Sequence, residues 1–145
     1  MSALSVAEVR QRVATALTGV SGWSESKAVY DLFGDDYGDT DNRQDKSFAV
    51  GAIRTEPIGD RQRVNLGTTV RTTIAVRWAR RIPSKAQIDG YDGALDSEQA
   101  LIIAAMTVGQ SQGLHVWISE ASRNVSTGWM IGEIVFSTMH LFALA

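Results

Sequence analysis

The side chains able to do chemistry fall into two blocks of opposite charge. Residues 31–45 hold six aspartates (Asp31, Asp35, Asp36, Asp39, Asp41 and Asp45) interleaved with Gly34 and Gly38. Carboxylates at that density are what a hard divalent cation binds. The run Asp35-Asp36-Tyr37-Gly38-Asp39-Thr40-Asp41 nevertheless lacks the D-x-[DN]-x-[DN]-G register and the Glu at the twelfth position that complete a calcium loop. It reads as a solvated, flexible acidic loop. Its expected use is contact with a basic partner surface, because a mobile charged segment steers an encounter and orders on binding. Asp35, Asp36, Asp39 and Asp41 are the candidates for that partner-facing role, with no metal assigned.

The second block reverses the sign. Residues 54–85 carry eight basic side chains (Arg54, Arg61, Arg63, Arg71, Arg77, Arg80, Arg81 and Lys85) against Glu56 and Asp60, a local excess of six. Inside it Val70, Thr72, Ile74, Val76 and Trp78 alternate with Arg71, Thr73, Ala75, Arg77 and Ala79, the period of two shown by a strand with unlike faces. Arg71 and Arg77, with Thr69 and Thr73, form a polar strip. Such a strip is either a solvated sheet face protected by its charges or a wall facing phosphate backbone, where point charges attract without reading sequence. Trp78 falls on the other face, so no ring in the strip is placed to stack a base. The four Trp are expected to anchor the core or an interface.

Other chemistry is scarce. The chain has no Cys, which removes thiolate nucleophiles, disulfides and Cys-based zinc sites. His115 and His140 each stand alone near apolar strand residues, a setting for a structural imidazole. No phosphate loop, dinucleotide fingerprint, nucleophile elbow or H-E-x-x-H motif is present. No catalytic residue and no cofactor are expected.

The elements that must position these groups can be read in order. Ser5-Val6-Ala7-Glu8 is a capping box, followed by Val6, Val9, Val13, Ala16, Leu17 and Val20 at helical spacing, with Gly19 and Gly22 as the stop. A strand over 47–54 pairs with the alternating strand across Pro57, Gly59 and Asp60, giving a long hairpin that Pro83 closes. Asp92 or Asp96 caps a second helix, whose stripe of Leu95, Ile102, Ile103 and Met106 is widened by Leu101, Ala104, Ala105 and Val108. Residues 114–119 and 129–141 are strands joined by a polar hairpin at about 121–128. The predicted fold is α+β: an antiparallel or mixed sheet with a long hairpin, flanked by two helices, in the order α-β-β-α-β-β.

With 145 residues, 44% hydrophobic and 21% charged, the chain has the size and composition of one soluble domain over 1–145. A net charge of −2 argues against a protein that grips nucleic acid through a wholly basic surface. With no run of 18 apolar residues and no signal-peptide pattern, synthesis and use in the cytoplasm are expected. The last strand is apolar at odd positions (Trp129, Ile131, Val135, Met139, Leu141) and at even ones (Met130, Ile134, Phe136, Phe142, Leu144) alike. A one-sided sheet alternates, so something covers both faces. Either the helices fill one side and a neighbouring subunit covers part of the other, or the two helices take opposite faces. Met130, Ile134, Phe136, Phe142 and Leu144 are the candidate subunit interface.

The succession of a short capped N-terminal helix, a Gly- and Asp-rich stretch, a long basic hairpin, a helix near Asp92-Gly93-Ala94-Leu95-Asp96 and a closing hydrophobic hairpin resembles the tail terminator (tail completion) proteins of long-tailed bacteriophages. The resemblance covers nearly the full chain and rests on length, element order and local texture, such as Val6-Ala7-Glu8-Val9-Arg10 and Gly128-Trp129-Met130-Ile131-Gly132-Glu133. It implies a virion subunit, assembled in the host cytoplasm. Such subunits form a ring, usually of six, that caps the head-proximal end of the tail tube and stops its polymerisation. The ring docks the head connector or stopper protein and lets genomic DNA pass without sequence-specific binding. Arg71 and Arg77 become candidates for the channel wall and the acidic loop for a rim. Another neck component, a head-completion or stopper protein, is the alternative in the same trade. Outside it stand a metal-dependent nuclease built on Asp35, Asp39 and Asp41 and a plain DNA-binding module.

Overall fold

Ser5 starts the first helix through the reciprocal pair its spacing predicts: its Oγ accepts from the Glu8 amide at 3.1 Å and its own amide donates to Glu8 Oε1 at 3.1 Å. Those hydrogen bonds, the backbone one first, hold the Glu8 carboxyl below its ordinary value of 4.5. The helix that follows, α1 (Val6–Thr18), buries Val9, Val13, Ala14 and Leu17 and ends at Gly19, whose amide reaches back to Ala16 O.

A computed structural model describes residues 3–26, 45–58, 69–82, 88–112, 114–126 and 128–142. The fold is mixed α+β, with the elements β1 (Ala3–Leu4), α1, β2 (Ser24–Glu25), β3 (Ser47–Pro57), β4 (Thr69–Arg81), α2 (Ile88–Gln112), β5 (His115–Ser126) and β6 (Trp129–Phe142). β3, β4, β6 and β5 are successive antiparallel neighbours. β1 runs parallel to the end of β6, in line with β5 along the same edge, and β2 runs parallel to the start of β3. These two-residue strands are additions to the predicted order. Two residues carry no periodicity, so only docking on β6 and β3 makes them strands.

Two boundaries also differ. α2 begins at Ile88, ahead of Asp92 and Asp96, which lie exposed within it. Extending a formed helix costs little per residue, and Asp89 in the first turn complements the amide dipoles there. β5 continues through Ser122, Arg123 and Asn124 because each pairs with β6, as far as Ser126 opposite Trp129. Gly128, at φ +81°, supplies the left-handed residue before β6.

Both helices lie on one face of the sheet: α1 packs on β3 and against α2, and α2 packs on β5 and β6. Beneath them Phe48, Ile74, Val76, Trp78, Met130, Ile134 and Phe136 form the centre of the core, each at most 2% exposed. Gly132 stands opposite Trp78 in the register. A Cβ there would lie 2.3 Å from the Trp78 ring, so the indole occupies the space a side chain would need. Trp23 meets the same ring edge-on at 6.3 Å between centroids.

Candidate assembly face

The helix-free face is built by the odd-numbered residues of β4 and β6, since successive side chains of a strand point to opposite sides. Register sets Arg77 opposite Glu133, Ala75 opposite Val135 and Ala79 opposite Ile131. Arg77 Nε donates to Glu133 Oε2 at 2.9 Å, with both side chains about a third exposed. Arg71 lies 4.0 Å from Glu56, which also accepts from Arg54 at 3.2 Å. Surface pairs of this kind contribute up to about 1 kcal/mol. Their larger consequence is for potential: each arginine expected on the basic strip has a carboxylate beside it. Glu133 was not legible as the partner of Arg77, because the two are 56 residues apart and only the β4–β6 register joins them.

The apolar residues of β6 divide between the two faces. Met130, Ile134 and Phe136 are fully buried under the helices of their own chain, which leaves them no surface for a second subunit. Phe142 is half-buried, with its ring edge-on to His140 at 6.1 Å. Leu144 lies outside the described residues. The half-exposed apolar positions of β6 are instead Trp129, Ile131, Val135, Met139 and Leu141, on the helix-free face. Both sets are apolar in sequence, and the side the helices choose decides which is left over.

His140 is fully buried; its Nε2 lies 2.8 Å from Thr72 Oγ1 and its Nδ1 3.2 Å from the carbonyl oxygens of Leu4 and Leu141. Two carbonyls can only accept, so Nδ1 carries the proton and Nε2 accepts from Thr72. The imidazole ties β1 to the sheet. His115 is exposed on β5. Of the acidic segment, Asp45 is described: its Oδ1 accepts from the Arg81 amide at 2.7 Å and lies 3.7 Å from Arg80 Nε. Asp35, Asp36, Asp39 and Asp41 lie outside the described residues. Among the described residues no three His, Asp or Glu side chains converge as metal ligands would.

A buried carboxylate that the sequence did not mark sits between α2 and β5. Glu98, 2% exposed, accepts from Arg123 Nε at 2.7 Å, and that bond raises the Arg123 guanidinium above its ordinary range. No known protein family matches the chain, and no curated protein matches it in sequence.

Proposed function

We propose that this protein is a structural subunit of a long-tailed bacteriophage. In this proposal, copies form a ring of six on the head-proximal end of the tail tube, stop tube growth and dock the head connector. The observation that carries the proposal is the helix-free sheet face, where Arg77 is matched by Glu133 and Arg71 by Glu56. A conduit for DNA has to accept phosphate nearby without holding it, and a face on which each arginine has a carboxylate beside it has that property. The long antiparallel pairing of β3 with β4 supports this reading, since the resembled family has a long hairpin. The acidic segment 31–45 serves as a rim facing the tube or the connector.

Adding the purified protein to polymerising tail-tube subunits is the direct test. Tubes are expected to stop at a shorter mean length, and lengths unchanged at stoichiometric protein would overturn the proposal. Copurification with the portal and not with the tube would reassign the protein to head completion or to the stopper.

A further inference from the structure

Exposed apolar surface is unevenly shared between the two edges of the sheet. Of the eight large apolar side chains left exposed among the described residues, seven lie on α2 and β5, and the eighth, Ile53, lies on β3. Along α2, the exposed Ile88, Tyr91 and Met106 share one flank with Leu95 and Ile102, which pack against the core, while Ile103 stands off it. Glu98 neighbours that flank and is bonded to Arg123, so the flank overhangs β5. β5 itself pairs with β6 along one side, and its other side meets no strand among the described residues. Alternate residues along β5 thus present amides and carbonyls outward, at an edge without Pro or Lys.

Charge is divided in the same direction. Among the described residues, α1 and β2 to β4 hold eight Arg and Lys (Arg10, Arg12, Lys46, Arg54, Arg71, Arg77, Arg80, Arg81) against four Asp and Glu. α2, β5 and β6 hold one, Arg123, against six: Asp89, Asp92, Asp96, Glu98, Glu120 and Glu133. Among the described residues, charge thus runs from basic at the β3 edge to acidic at the β5 edge. A two-fold contact of the β5 edge with itself would set acidic flank against acidic flank; a head-to-tail contact sets basic against acidic.

We propose that a second copy of this chain docks on the β5 edge and the α2 flank, presenting its own β3 edge. Ile53, at the register shift between Ala52 and Arg54, packs beside Ile118, and Arg54 faces Glu120, the register neighbour of Ile118 across the β5 irregularity. The contact is heterologous, so it repeats from copy to copy and closes when the rotation between copies does. It supplies the contact for the ring proposed above and rests on that proposal for closure, but not for the docking itself.

The lack of native Cys allows a direct test in the full chain. Ile53→Cys and Ile118→Cys alter side chains that are 48% and 36% exposed, so folding is expected to survive and is checked by circular dichroism. Oxidising an equal mixture of the two single variants should give the mixed disulfide dimer in clear excess over either self-dimer, and the double variant should give a ladder of oligomers. Arg54→Glu should weaken cross-linking by about tenfold and Glu120→Arg in the partner should restore it, as reversal of one facing charge pair requires. Self-dimers of Ile118→Cys in equal yield, or folded protein that forms no mixed dimer, would overturn the proposal. A ladder from protein that leaves tail tubes uncapped would keep the contact and remove the phage role, whereas capped tubes without cross-links would do the reverse.

Discussion

The two faces of the sheet are made by the same strands and behave as different materials. Toward the helices, β4 and β6 present Ile74, Val76, Trp78, Ile134 and Phe136, each fully buried. On the other side the same strands present Ala75, Arg77, Glu133, Val135 and Met139, with Arg77 and Glu133 bridged at 2.9 Å and still partly in water. The covered face is matched in volume to its neighbours, so a change of one carbon is felt there. The open face carries the Arg77–Glu133 pair and half-exposed side chains such as Val135 and Met139, where a substitution costs less. Stability is therefore concentrated on the covered side.

Removing volume from the covered face should break this contrast most severely. Phe136→Ala is expected to cost about 3–5 kcal/mol in chemical denaturation, the usual loss for a buried ring. Adding volume comes next: Gly132→Ala drives a Cβ into the Trp78 indole and should cost about 3 kcal/mol, at the upper end for overpacking. A melting curve like that of the parent would refute the interlock.

Arg123→Ala strands the Glu98 carboxylate, whose side chain is 3% exposed. About 2 kcal/mol is expected, less than for a fully buried pair because Arg123 is itself 38% exposed. Adding Glu98→Gln to Arg123→Ala should recover part of the loss, and no recovery would mean the charge is not the cause.

Ser5→Ala, away from both faces, should cost about 1 kcal/mol at neutral pH through the lost cap. The sign with pH follows from Glu8, whose carboxyl is held below 4.5 in the fold. Its contribution is present above that value and is lost as pH falls through the lower folded one. Stability curves of the parent and a Glu8→Ala variant should therefore draw together on acidification below 4.5; parallel curves would contradict the capping box. The smallest effect belongs to the open face: Arg77→Ala should change stability by less than about 1 kcal/mol. A larger loss would show that the open face also carries the fold.

Local spacing made several elements legible. Ser5 and Glu8 stand three apart, so the helix start depended on four consecutive residues, and the alternation from Val70 to Ala79 assigned each β4 side chain to a face. The centre of α2 was legible for the same reason, while its start at Ile88 was not, because helix extension past Asp92 responds to what is already folded. The candidate site was only half legible: Arg71 and Arg77 were identified with their face, but not their glutamates.

The sequence by itself determined the alternation, the cap, the division of charge into opposite blocks and the apolar character of both sides of β6. Only the tertiary structure decided which side of β6 became core. Periodicity of two states that neighbouring side chains point apart, but not which way is inward. That choice was made when α1 and α2 packed on one side together, sealing in Met130, Ile134 and Phe136 and leaving Trp129, Ile131 and Val135 at the surface. The pairing of Arg77 with Glu133 followed from the same event, because a contact across 56 residues exists only after β4 and β6 have found their register.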